Sequence, residues 1–180
     1  RYFDEIIDQE HGLVLDTLQL GEKEPVDEKT MVGDYTNITN VGVYFMAVVA
    51  AYDLGFITEE DAIARCQKTI ETVGKLETFK NGFLYNYYDT TTLERTSHFV
   101  SLVDSGWLMA GLYVAKNAFP EALTASVDPL LNRWDFSFFY DPVERLLFHG
   151  YYDHLEVYSD YHYGVLYSEP RAISYMAIAR

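Results

Sequence analysis

A single cysteine, Cys66, stands in 180 residues. The chain therefore forms no internal disulfide and has no thiolate-rich metal site. Cys66 lies in the helical run 62–73 and reads as a small buried hydrophobe, compatible with a reducing or an oxidising compartment. No stretch approaches the ~20 consecutive apolar residues that span a bilayer, so no membrane insertion is expected in this region. Positive charge is scarce: 13 Lys+Arg face 28 Asp+Glu, a net charge of −15. Such a field repels phosphate backbones and removes nucleic acid as a partner, leaving neutral or cationic ligands. Glycine-rich phosphate loops and nucleophile elbows are also lacking, and no cofactor is expected.

What the chain has in quantity is tyrosine, 16 against 11 Phe and 2 Trp. Tyrosine joins a flat apolar body to a polar tip, which suits a sugar-lined cleft and a half-wet helical core alike. With 49% hydrophobic and 23% charged residues, the chain is long enough for one domain with a real core. Residues 1–180 read as a single domain. Arg1 at one end and the apolar Ala179-Arg180 at the other read as a piece of a longer polypeptide.

Three times, a Gly/Tyr-rich extended segment leads into an apolar helix. The segments are Gly12-Leu13-Val14-Leu15-Asp16, the run from Gly82 through Tyr85-Asn86-Tyr87-Tyr88 to Asp89, and the run from Leu146 through His149-Gly150-Tyr151-Tyr152 to Asp153. The helices begin near Asn40, Asp104 and Glu169, which are 64 and 65 positions apart. A constant period marks a repeated unit that buries its apolar face against its neighbours. The runs 41–54 and 103–118 are apolar almost all round and predict buried helices. Thr58-Glu59-Glu60-Asp61 is a capping box opening an amphipathic helix to Leu76, and 120–134 is amphipathic as well. Residues 1–9 read as the end of an amphipathic helix, and 21–34 as a charged rim loop. Pairing an all-apolar helix with a one-faced helix predicts an all-α architecture of two layers, an (α/α) toroid of helical hairpins.

In that arrangement each inner helix presents its N-terminus on one rim. Read singly, Asn40 and Asp104 are helix caps and Glu169 a first-turn acid. Read together with Asp89 and Asp153, they converge on one opening.

These residues carry a resemblance. The segments from Thr36 through Asn40 to Tyr44, Ala50 to Gly55, Tyr85 to Thr90, Ser101 to Gly106 and Tyr163 through Glu169-Pro170-Arg171 to Tyr175 resemble one bacterial group. It is the glucoamylase-like domain of unknown function, similar to the non-phosphorylase region of cyclic β-1,2-glucan synthases. The family usually has proline where this chain has Ile38. The resemblance implies a six-hairpin toroid, of which about half is visible here, and an oligo- or polysaccharide ligand of the β-glucan type. It also implies carboxylate acid/base hydrolysis, and a cell-envelope or secreted location is expected over a cytoplasmic one.

Glycoside hydrolysis needs one protonated and one ionised carboxyl group. Glu169, at the family motif position, is the expected general acid. Asp104 is the expected second carboxylate, and Asp89 its substitute. Asn40, Tyr85, Tyr87, Tyr88, Trp107, Asp153, Tyr161, His162 and Arg171 are expected to bind substrate, and Arg171 to pair with Glu169. The alternative is a non-catalytic domain of the same lineage that binds glycan or protein. His149, His154 and His162 lie near Asp153, Glu156 and Asp160, but the five-residue step from His149 to His154 is off the one-turn spacing, and no metal is expected. Asn37-Ile38-Thr39 fits the glycosylation acceptor pattern.

Overall fold

The computed structural model describes residues 2–19, 31–80, 82–163 and 168–179. The charged run Glu22 to Lys29, the stretch 164–167 of the family-like segment and Arg180 lie outside the described residues.

Six helices are described: α1 (Tyr2–Glu5), α2 (Ile38–Asp53), α3 (Glu59–Lys75), α4 (Leu102–Ala118), α5 (Pro120–Asn132) and α6 (Arg171–Ala179). α3 starts as its capping box requires, the Thr58 hydroxyl accepting from the Asp61 amide at 3.2 Å. Its one-faced pattern buries Ala62, Cys66, Ile70 and Val73, and burial pushes the Cys66 thiol up to about 12. α5 opens on Pro120, where a missing N–H costs nothing.

The apolar helices α2, α4 and α6 pack side by side, and α3 packs against α5 outside them. Glycine sets the inner spacing. A Cβ on Gly42 would lie 2.2 Å from the Trp107 carbonyl oxygen, and one on Gly111 2.2 Å from that of Gly42, so α2 and α4 touch backbone to backbone. Gly106, 64 residues after Gly42, instead takes the Ile173 side chain of α6, whose Cβ lies 2.8 Å from where a Gly106 Cβ would stand.

The expectation of an all-α (α/α) toroid is corrected by nine short strands in four antiparallel sheets among the described residues. β1 (Leu18–Gln19) pairs with β2 (Met31–Val32), and β3 (Tyr35–Asn37) with β4 (Tyr87–Asp89). β5 (Phe99–Ser101), β8 (Gly150–Tyr152) and β9 (Val157–Tyr158) form the one three-stranded sheet, and β6 (Tyr140–Asp141) pairs with β7 (Leu146–Leu147). The chain is thus helical and stranded together. Three of them, β4, β7 and β8, come from the Gly/Tyr-rich segments and the other six from the stretches between or beyond those segments, where β-branched and aromatic residues suit a pleated surface. At two or three residues each they are too short to show an alternating pattern. Residues 1–9 yield only the four-residue α1, and 31–34, expected as loop, supplies β2.

The strands tie the units together. β3 and β5 run directly into α2 and α4, and each is paired by the strand of the following unit. Asn37 faces Tyr87 and Ser101 faces Gly150 next to the helix starts, while Tyr35 faces Asp89 and Phe99 faces Tyr152 at the far end.

Candidate functional site

The helix starts define the site. The N-caps are Asn37, whose Oδ1 accepts from the Thr39 amide at 2.7 Å, and Ser101, whose hydroxyl accepts from the Asp104 amide at 3.3 Å. Asn40 and Asp104 are therefore the third residues of their helices rather than caps, and their side chains do other work. Asn37 of the glycosylation pattern is thus the cap of α2, through its side-chain oxygen. The Asn40 amide donates to Asp16 Oδ1 at 2.7 Å, and the Thr39 hydroxyl of α2 donates to Asp104 Oδ1 of α4 at 2.7 Å. The second bond crosses the α2–α4 seam at the rim.

His149 lies against this seam. Its carbonyl accepts from the Leu102 amide, the first of α4, as the Asn86 carbonyl accepts from the Ile38 amide, the first of α2. Asn86 and His149 thus occupy equivalent places, each one residue ahead of a strand that covers a helix start. Asp16, which ends the first extended segment, completes the series. The Asn86 side-chain oxygen is buried and has no partner.

Asp104 and Glu169 bear on the same two groups. Burial, first, and then both carboxylates raise the Tyr163 phenol. Burial holds the His149 imidazole below its ordinary value, partly offset by the pull of Asp104 and Glu169. Nδ1 of His149 is 3.1 Å from the Ser159 hydroxyl, and its ring packs on Phe99 and Tyr163 at 5.1 and 5.3 Å. Tyr87 joins the rim: burial raises its phenol, Asp16 and Asp104 add to the rise, and a hydrogen bond from Asn37 opposes it. Asp16, Asn40, Tyr87, Asp104, His149 and Glu169 are therefore linked, through hydrogen bonds and electrostatic reach, in one polar cluster at the helix starts. Asp104 is half-buried and Glu169 exposed.

Most of the remaining expected residues are engaged away from this cluster. Asp89 heads a turn, Oδ1 accepting from the amides of Thr91 and Thr92 at 2.8 and 2.7 Å, and those bonds hold its carboxyl low. Tyr88 is fully buried, its hydroxyl donating to the Glu77 carbonyl at 2.6 Å and accepting from the Tyr85 amide. Tyr85 is buried under the Arg95 guanidinium and donates to Asp153 at 2.6 Å, at the far end of the β5–β8 pair. His162 binds Asp141 at 2.9 Å and lies on Phe148. Tyr161 is exposed near His149. Trp107 is half-buried on α4, its backbone in the contact with Gly42. The Arg171 guanidinium, expected beside Glu169, lies 4.7 Å over the exposed Tyr175 ring.

Sequence reasoning missed Asp16, Thr39, His149 and Tyr163 as rim residues. The available signal was the unit itself, since Asn86 and His149 each precede the strand that covers a helix start, and the Asp16 amide bonds the Tyr35 carbonyl as that of Asn86 bonds the Phe99 carbonyl. The sequence spacing hid it, because Asp89 and Asp153, 64 apart, are not equivalent. In the sheets the Thr90 amide bonds the Asp34 carbonyl as the Asp153 amide bonds that of His98, a slip of one residue.

A family described as protein of unknown function, DUF3131, matches residues 1–141. Over 113 residues the chain is 33% identical to the cyclic beta-(1,2)-glucan synthase NdvB of Rhizobium meliloti (strain 1021), covering 62% of this chain and 4% of that protein. The endo-beta-1,2-glucanase of Chitinophaga pinensis, solved with sophorotriose and glucose, superposes with a TM-score of 0.69 at 18% identity, over 83% of this chain and 37% of that one. A glucoamylase-like protein of Bacteroides fragilis NCTC 9343 gives 0.69 at 19% identity, over 87% and 40%. The chain thus spans a small part of the curated relative and about two fifths of the solved structures. The expected likeness to glucoamylase-like domains and to cyclic β-1,2-glucan synthases holds, and the fold is glycoside hydrolase-like. No helix among the described residues is long and apolar enough to cross a membrane.

Proposed function

The chain belongs to the DUF3131 family, proteins of unknown function, and from that premise we propose that its helix-start rim binds a β-linked glucan and supplies carboxylates for its hydrolysis. Glu169 is the proton donor to the leaving oxygen, and Asp104 the second carboxylate. Asn40, Tyr87, the exposed Tyr161 and the half-buried Trp107 hold sugar rings. Asp89 is left to its turn and Tyr88 to the core. One observation carries the reading. Carboxylates from two successive helix starts bear on a single imidazole and a single phenol, as a two-carboxylate mechanism on one glycosidic bond requires. The relatives add weight, since one is a cyclic β-1,2-glucan synthase and another an endo-β-1,2-glucanase. A neutral glucan also suits a strongly acidic surface.

The test is Glu169→Gln and Asp104→Asn, assayed for reducing-end release and for binding of β-1,2-linked oligosaccharides. Loss of about 10²–10⁴ in turnover with binding and melting temperature kept is expected, the size of a lost acid or base. Binding without turnover in the unaltered protein would leave a glycan-binding domain. Collapse of the fold in both variants would reduce the carboxylates to helix-start electrostatics.

A further inference from the structure

At the end of the β5–β8 pair away from the helix starts, His98, Asp153 and His154 bring ligand atoms within 4.8 Å of one another. The register puts them there. Phe99 faces Tyr152, so His98 and Asp153 form the next cross-strand pair, joined by the Asp153 amide on the His98 carbonyl at 3.0 Å. His154 follows in the turn, its ring 4.9 Å from that of His98.

We propose that His98, Asp153 and His154 form a binding site for a divalent transition metal of the zinc class, with water completing the coordination. Two imidazoles and one carboxylate suit that class, whereas calcium and magnesium take oxygen ligands. Ligands held at about 2.0–2.1 Å in a tetrahedron stand about 3.4 Å apart. His98 Nδ1 and Asp153 Oδ1 already stand 3.2 Å apart.

Arg95 makes the case independent of mere proximity. A guanidinium only donates, so with NH1 2.8 Å from His98 Nδ1 that nitrogen accepts from Arg95 in the tautomer protonated on Nε2. Two acceptors, Nδ1 and Oδ1, then face each other, an arrangement that a cation relieves. Arg95 supplies that cation here, NH1 lying 3.3 Å from Asp153 Oδ2. It also has other partners to retain: its Nε binds both Glu77 oxygens at 3.1 Å, and its guanidinium lies 4.2 Å over the Tyr85 ring. A metal takes the place of NH1 while Nε stays on Glu77. The Tyr85 hydroxyl on Oδ2 at 2.6 Å fixes the carboxylate so that Oδ1 is presented, the outer-shell support that metal ligands need. The site is open to solvent, the His98 side chain being 59% exposed. Occupied, it staples the start of β5, and so the approach to α4, to the β8–β9 turn.

Zinc titration by calorimetry and cobalt(II) visible spectra of the purified protein test this. Saturable one-to-one binding is expected, with cobalt bands of four- or five-coordinate geometry. His98→Ala and His154→Ala should each weaken it at least tenfold while circular dichroism stays native. Arg95→Gln removes the competing cation and should tighten it. Absence of saturable binding, binding that survives His98→Ala and His154→Ala together, or weaker binding in a folded Arg95→Gln protein overturns the proposal. The readout is metal affinity, so its failure is separate from any failure of glucan turnover.

Discussion

Tyr88 carries two hydrogen bonds through one hydroxyl, one buried and one half-buried, and its neighbours in sequence do quite different work. Tyr88→Phe leaves the buried Tyr85 amide without its partner and takes away the donor of the half-buried bond to the Glu77 carbonyl, so about 1–3 kcal/mol of stability is lost, measurable by urea unfolding, with glucan binding unchanged. Nothing in Tyr85-Asn86-Tyr87-Tyr88 foretold which ring faces the rim and which the core. On a three-residue strand, one step decides the face. The helix starts were more legible. Their positions came from the repeat, but cap and third helix residue differ by three places, and only the hydrogen bonds of Asn37 and Ser101 assign them. His149 offers a second prediction. Burial depresses its pKa, so its contribution to stability is fully present above the unfolded value of about 6.5 and is lost as pH falls through the folded value. The titrating and charged groups that face it are Asp104, Glu169 and Tyr163. An NMR titration should place His149 below about 6.5, and Asp104→Asn should lower it further by removing a favourable charge. A rise in that variant would mean that the carboxylate does not face the ring.

Two helical glycines with opposite surroundings test how the elements meet. Gly42 abuts the backbone of α4, so Gly42→Ala must push two helices apart and should cost about 1–3 kcal/mol or more. A Cβ on Gly74, in α3, meets nothing within 4 Å, so Gly74→Ala should stabilise by about 0.5–1 kcal/mol through helix propensity. Chemical denaturation of both variants checks the pair, and equal effects would refute the close α2–α4 contact. The inner helices were readable from apolar runs too long for strands, and the outer ones because a one-faced pattern persists over three to five turns. The strands were not, and this is where an all-α reading went wrong: Tyr35-Thr36-Asn37 and Phe99-Val100-Ser101 are shorter than any pattern can register, and their partners lie roughly fifty residues away in the next unit. Those same pairings put Asn86 and His149 on the rim, so the part of the site that sequence missed is the part that strand register builds.

Taken whole, residues 1–180 are proposed to behave as one domain, because the core runs without a break from Leu13 through α2 and α4 to Ile173. Unfolding followed by tryptophan fluorescence, from Trp107 on an inner helix and Trp134 stacked on Phe83, should coincide with loss of helical circular dichroism; separated transitions would divide the chain. Charge supplies a sharper test of what the rim is for. The net charge of −15 surrounds a rim that itself carries Asp16, Asp104 and Glu169. A cationic ligand drawn in by that field would lose affinity steeply as salt shortens the screening length from roughly 14 Å to about 4 Å between 0.05 and 0.5 M. A neutral glucan, held by hydrogen bonds and ring stacking, has no such term. Its affinity should change by less than about twofold over the same range, read by calorimetry with the Glu169→Gln protein so that turnover does not intrude. A steep salt dependence would show that the acidic rim selects for positive charge, and the carboxylates would then be ligand-binding groups rather than a hydrolytic pair.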